Sequence, residues 1–264
     1  MPTADVLDKA PVLLREDDEG ITTLTLNRPE QYNALSGKLL EALESELVKL
    51  HDDESVRVVI IAGAGKAFCA GHDLKELRGL DDPVLAHPVF SLCANVMLKI
   101  TGLPQPVIAR VHGIATAAGC QLVGACDLAV ASTQARFATS GINVGLFCST
   151  PGVALGRNLP RKKAMEMLLT GDFIDAESAL AYGLVNRVVP PDGLDAAVHA
   201  LAAKIASRPR AALADGKRVF YEQIELNAES AYSVAADEMA RNLFSPGTQE
   251  GIDAFLQKRP PRWS

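Results

Sequence analysis

Residues 106–127, PVIARVHGIATAAGCQLVGACD, constrain this chain more than any other stretch. Pro106 to Val111 is apolar with β-branched residues, the composition of a strand. His112-Gly113 breaks that run. From Ile114 to Cys126-Asp127 the chain is too rich in Ala and Gly for a surface helix, so a buried small-residue helix is expected. A strand, a glycine turn and such a helix leave backbone N–H groups unpaired at the helix start, where a ligand can come close. That arrangement holds an anion, or an oxygen that becomes negative during a reaction. The same residues have a plainer use, because Ala117, Ala118 and Gly119 would also let two elements pack closely. Both readings stay open on this stretch alone.

A second stretch of the same kind runs from Gly63 to Leu74, GAGKAFCAGHDL. It follows Val56 to Ala62, an apolar run that reads as a strand covered on both faces. Ala70-Gly71-His72 is again small-residue backbone ahead of a helix, with Asp73 as its N-cap. Two such turns, each after a strand, would aim two N–H groups at one point. His72 is either a loop histidine without a duty or a group that titrates near neutrality.

The rest of the chain sorts by period and punctuation. Pro11 to Asn27 reads as two strands around a turn. Leu39, Leu40, Leu43, Leu47 and Leu50 recur at helical spacing after a Ser36 cap. Residues 84–101 read as a helix in which Pro88 is a point where a break can fall, and Gly141 to Gly156 as a turn-rich cover over a pocket or interface. From Leu159 onward helices dominate, with a short strand in 183–189. Strands among helices early and helices alone late give a β-α core and a helical C-terminal part. The formal net charge of −6 argues against a nucleic-acid partner. Five cysteines without paired metal spacing suit buried free thiols in a reducing compartment. MPTADVLDKAP lacks the pattern of a targeting leader, and no apolar run reaches bilayer length, so a soluble cytoplasmic protein is expected, with no membrane partner.

Taken together, in order, these motifs resemble the crotonase, or enoyl-CoA hydratase/isomerase, superfamily. The matching residues are Leu26-Asn27-Arg28-Pro29 with Asn33-Ala34-Leu35, then Phe68 to Leu74, then Val111-His112-Gly113 through Cys126-Asp127. Pro151-Gly152, Gly183-Leu184-Val185 and Ala254 to Arg259 complete the set, and 143–151 is similar to the branch named, in animals, enoyl-CoA hydratase domain-containing proteins. The resemblance implies an α/β fold, the crotonase (ClpP-like) spiral of β-β-α units over 1–195. It implies a helical trimerisation region over 196–264 and a homotrimer or dimer of trimers. The ligand it implies is an acyl-CoA or enoyl-CoA thioester, with no cofactor beyond the coenzyme A of the substrate and no metal. Two backbone amides, those of His72 and Ala118, would polarise the thioester oxygen. Arg28, Ala34, Lys66 and Ala70 fall at ligand-binding positions, as do Asp73, Leu74 and Lys75. Phe255 and Lys258 match a C-terminal pair that meets the nucleotide in relatives.

The pattern departs from the family at its two acids. A hydratase of this family handles water with two glutamates, whose positions here are Gln121 and Gly141. Gln is no base near neutral pH and Gly has no side chain. Between Asp82 and Glu166 the only acidic residue is Asp127, whose position in the family is structural. Three readings follow: a crotonase enzyme using other groups, among them His72, Cys120, Gln121, Ser140 and Ser149; a non-catalytic acyl-CoA binder; or a serine peptidase of the related Clp-type fold. Glu76, after the first turn, is the nearest glutamate that would have to swing in if one does.

Overall fold

A computed structural model describes residues 10–263. The hairpin strands β1 (Leu13–Asp18) and β2 (Ile21–Leu26) turn at Glu19-Gly20, both at positive φ. Ser36 caps α1 (Gly37–His51) by accepting from the Leu39 N–H, and the five leucines of its periodic face are buried. Strand β3 (Val58–Gly63) lies parallel to β2 and is buried at every position. Its side chains alternate: Val59 and Ile61 enter the main core with α1, while Val58 and Ile60 face the opposite side. That second face is covered by Leu194, Val198 and Ala202 of a later helix, which explains the unbroken apolar run.

Each further long strand is followed by a short one in a separate sheet and then by helix. β3 leads to β4 (Ala67–Cys69), then α2 (Leu74–Arg78) and α3 (Pro83–Gly102). β5 (Val107–Val111) leads to β6 (Ile114–Thr116) and α4 (Ala118–Ala125). β7 (Leu128–Ser132) leads to β8 (Arg136–Ala138), then α5 (Ser149–Asn158) and α6 (Arg161–Thr170). With β9 (Ile174–Asp175), α7 (Ala176–Tyr182) and β10 (Arg187–Val189), the sheets order as β1-β2-β3-β5-β7-β10 and β4-β6-β8-β9. This is the spiral of β-β-α units.

Several expectations need correction. Ile114 opens strand β6, not a helix, and the helix begins at Ala118. Pro88 lies inside a continuous α3. By length and composition α3 is also apolar enough to cross a membrane, contrary to the reading of the sequence; Cys93, Val96, Met97 and Ile100 face the core, and the helix packs on α1. The segment read as turns contains α5, because Pro151 sits in its first turn, where a missing N–H costs nothing. The helix α8 (Leu194–Ala206) covers the sheet, so the core runs past residue 195. The part that stands clear of the sheets is α9 (Arg210–Gln223), α10 (Ala228–Leu243) and α11 (Pro246–Leu256).

Candidate active site

The two small-residue turns meet. Gly71, at φ +90°, ends the first, and a Cβ built on it would lie 3.2 Å from the Ala118 nitrogen. Gly119 makes the approach possible, since a Cβ there would stand 2.1 Å from the carbonyl oxygen of Cys69 at the end of β4. Ala117, the residue that turns the chain into α4, has φ 51° and ψ −120°, a region that strains any residue with a side chain. The small residues thus pack two elements closely, and in doing so set two turns side by side.

Each turn leaves an N–H without an acceptor. At the first, the Leu35 N–H donates to Gly71 O and the Asp73 N–H to Leu35 O, which brackets His72 and leaves its own N–H out of the ladder. At the second, the Ala117 N–H donates to Ala138 O and the Gln121 N–H to Ala117 O, while Ala118 is the first residue of α4 and has no acceptor. Both residues line one cavity of about 340 Å³. Its other walls are mostly apolar: Leu77 of α2, Phe90 of α3, and Val144, Leu146 and Phe147 of the 141–148 segment. The first turn of α5, Ser149 to Pro151, closes the far side.

The side chains around these amides carry little charge. Burial pushes the His72 ring down to about 4, so it is neutral at ordinary pH; its edge packs on Phe90 with centroids 5.2 Å apart, and its Nε2 has no partner. Gln121 is buried one helical turn beyond Ala118 on the same face, and its Oε1 is unpartnered. Ser140 is engaged with Thr116 at 2.7 Å between hydroxyl oxygens. Cys120 is buried outside the cavity, its thiol pushed up to about 12. Gly141 lines the cavity, but a Cβ there would meet Leu146 O at 2.5 Å and Cys148 Sγ at 2.7 Å. Cys148, a residue the sequence reading did not single out, also lines the cavity, and its sulfur stands beside Gly141. The Gly141–Cys148 proximity arises from a turn closed by the Leu146 N–H to Gly141 O, which no residue pattern announces.

The remaining expected residues divide. Ala70 and Leu74 line the cavity. Arg28 and Asp73 do not: they form an ion pair at 2.9 Å, Arg28 also donates to the Ala34 carbonyl, and Asp73 caps α2. The pair holds the first turn in place, and the Arg28 guanidinium keeps the Asp73 carboxyl below its usual range. Lys66 and Lys75 are exposed outside the cavity wall. Phe255, 82% exposed, and Lys258 lie at the end of α11, also away from it. Glu76 is turned away to accept from the Gly37 N–H at 2.8 Å. Asp127 accepts from the Val107 N–H, Lys217 and Tyr221, a wholly structural set.

Two sheets joined by β-β-α units, with a largely apolar cavity reached by the turns after β4 and β6, are the crotonase architecture. The chain belongs to the enoyl-CoA hydratase/isomerase family, whose model matches residues 16–264. It is 46% identical over 258 residues to the enoyl-CoA hydratase domain-containing protein 3, mitochondrial, of Xenopus laevis, spanning 98% of this chain and 88% of that one. It is 32% identical over 252 residues to the crotonyl-CoA hydratase of Syntrophomonas wolfei, spanning 94% and 95%. The crystal structure of an enoyl-CoA hydratase from Mycobacterium smegmatis superimposes with a TM-score of 0.95 at 58% identity, over 96% of this chain and 99% of that one. That of human enoyl-CoA hydratase domain-containing protein 3 does so at 0.93 and 46%, over 96% and 100%. One expectation is overturned here. The relatives from Xenopus laevis, rat and human are named mitochondrial, against the cytoplasmic location read from the sequence.

Proposed function

We propose that the protein binds an acyl-CoA or enoyl-CoA thioester and that the N–H groups of His72 and Ala118 hold the thioester oxygen as it gains negative charge. The observation that carries this is that His72 and Ala118, whose N–H groups have no backbone acceptor among the described residues, both line one largely apolar cavity. Donors fixed before reaction favour the charged state over the ground state, and one such donor is worth about 3–4 kcal/mol. The apolar walls suit the acyl chain. Lys66 and Lys75, exposed near the first turn, are the cations available to phosphates, while Arg28 is committed to Asp73. The exposed Tyr232, Met239, Phe244 and Phe255 of α10 and α11 and the loop between and within them suit a homotrimer or a dimer of trimers.

Ordinary hydration of an enoyl thioester is not the reaction this site supports. Water addition needs a base, and among the described residues no carboxylate lines the cavity. The function is thioester polarisation within the hydratase/isomerase superfamily, by chemistry other than two-acid hydration. A non-catalytic acyl-CoA binder is the second reading, favoured by the absence of any group charged at neutral pH from the cavity wall. The peptidase reading is dropped, because it requires an acid beside the histidine in the cavity and none of the described residues supplies one.

The test is spectroscopic and kinetic. A chromophoric cinnamoyl-CoA shifts to longer wavelength on binding if its carbonyl is polarised, and a thioether analogue without that oxygen binds at least about tenfold more weakly. Crotonyl-CoA at high enzyme concentration shows no hydration at an ordinary enzymatic rate. Ordinary turnover, or binding indifferent to the carbonyl, refutes the proposal.

A further inference from the structure

Part of the cavity wall is apolar, rigidly held and left open to solvent. Leu74, Val144, Leu146 and Phe147 line the cavity, yet each is between 41% and 65% exposed. Three of the four belong to the segment between β8 and α5, whose backbone is tied at several points. The Leu146 N–H donates to Gly141 O, the Gly145 N–H to Ile142 O, and the Ser149 N–H to Phe147 O. The segment is also anchored at the end of α6. A Cβ built on Gly171, at φ +69°, would stand 2.7 Å from Ile142 Cγ2 and 2.8 Å from Asn143 Oδ1, so those two side chains fill that space. Ile142 and Asn143 thus hold the segment down, while Val144, Leu146 and Phe147 keep much of their surface wet. The wall also lacks charge. None of the described residues lining the cavity is charged at neutral pH, and residues 137–156 contain no Asp, Glu, Lys or Arg. Large apolar side chains exposed on the wall of a cavity form a surface that a ligand covers.

We propose that the acyl group this cavity takes is a long, uncharged hydrocarbon chain that lies against Val144, Leu146 and Phe147. This rests on the thioester reading of the cavity and adds to it the class of acyl group. A four-carbon acyl group held by its carbonyl at the His72 and Ala118 amides has too little surface to cover these side chains, and most of the wall stays in water. A longer chain removes that apolar area from water, and each methylene it buries strengthens binding by up to about fourfold. A chain of the same length that ends in a carboxylate loses much of this gain. Its charge would be drawn out of water along a wall that offers it no cation. The wall therefore selects by length and by the absence of charge, while the two amides select the thioester.

The experiment is calorimetry of the full-length protein with butyryl-CoA, octanoyl-CoA, dodecanoyl-CoA and dodecanedioyl-CoA. The expected result is an affinity that climbs at each step and rises at least about thirtyfold from butyryl to dodecanoyl. Dodecanedioyl-CoA binds at least about tenfold more weakly than dodecanoyl-CoA. Val144→Ser and Leu146→Ser place the effect: each lowers the ratio of dodecanoyl to butyryl affinity by at least about threefold. Both side chains are exposed, so both variants should fold, which Tm checks. If butyryl-CoA binds but the rise is smaller, if the terminal carboxylate costs nothing, or if neither variant moves the ratio, the acyl assignment is wrong and the thioester reading stands. Sedimentation of the same variants tests the other occupant. An altered assembly with an unmoved ratio would make the row a contact between copies of the chain and overturn the proposal. If none of the four thioesters binds, the thioester reading itself falls.

Discussion

At Gly141 an added Cβ would lie 2.5 Å from the Leu146 carbonyl oxygen, a backbone atom that a rotamer change cannot move aside. The 141–146 turn closes over the space a side chain at residue 141 would need. Gly141→Glu is expected to cost about 1–3 kcal/mol through overpacking and to restore no crotonyl-CoA hydration, even combined with Gln121→Glu. Urea denaturation and a hydration assay of the single and double variants check both parts; a stable, active double variant would show the turn to be soft. His72 gives a prediction in pH. Burial disfavours the imidazolium and pushes its folded-state pKa down to about 4, from the ordinary 6.5 of a histidine. Protonation therefore favours the unfolded chain: the stability is present above pH 6.5 and is lost as pH falls toward 4. The loss is on the order of 3 kcal/mol. His72→Gln should lose less over that window, read from urea midpoints at several pH values. At this scale the sequence showed the two small-residue turns, because glycine and alanine runs announce themselves. It did not show Cys148, which reaches Gly141 only after the intervening turn has closed.

Among elements, the approach of α4 to β4 is what brings the turns of His72 and Ala118 to one cavity. Gly119→Ala would put a methyl 2.1 Å from Cys69 O, so α4 must move away from β4 and carry the Ala118 amide with it. The expected outcome is loss of the long-wavelength shift of bound cinnamoyl-CoA together with a fall of several degrees in Tm; an unchanged shift would mean that the helix start does not meet the carbonyl. Arg28→Met is expected to act on the other turn. It frees Asp73 from its cation, loosens residues 70–73 and weakens acyl-CoA binding about tenfold or more, measured by calorimetry. Elements with a strong period were legible before the structure. The α1 leucines and the uniformly apolar β3 are such cases, since burial on one stripe or on both faces leaves its mark on composition. The three-residue strands β4 and β6 were not, because three residues display no period. Helix α5 was hidden by Pro151-Gly152, a pair that reads as a turn anywhere except in the first turn of a helix.

Across the whole molecule, the helices α9 to α11 are tied to the sheet core at one buried cluster. Asp127, at the end of the α4 loop, accepts from the Val107 N–H at 2.6 Å, from Lys217 Nζ at 2.7 Å and from the Tyr221 hydroxyl at 2.9 Å. Lys217, only 7% exposed in its side chain, also donates to the carbonyls of Ile100 and Gln105, and burial lowers its pKa. One charged pair thus joins β5, β7, α3 and α9, and α9 in turn carries α10. Lys217→Met strands a buried carboxylate and should cost about 3–5 kcal/mol. Asp127→Asn in the same chain keeps a carbonyl for the Val107 N–H but removes the charge, so the double variant should recover much of that loss. A double-mutant cycle by urea denaturation measures the coupling. Protease digestion adds the second readout: in Lys217→Met, cleavage near residues 207–210 should precede cleavage in the sheet core, because the tie between them is what failed. If the two losses simply add, or if core and helices are cut together, the cluster is ordinary packing and the C-terminal helices are held by the rest of their surface.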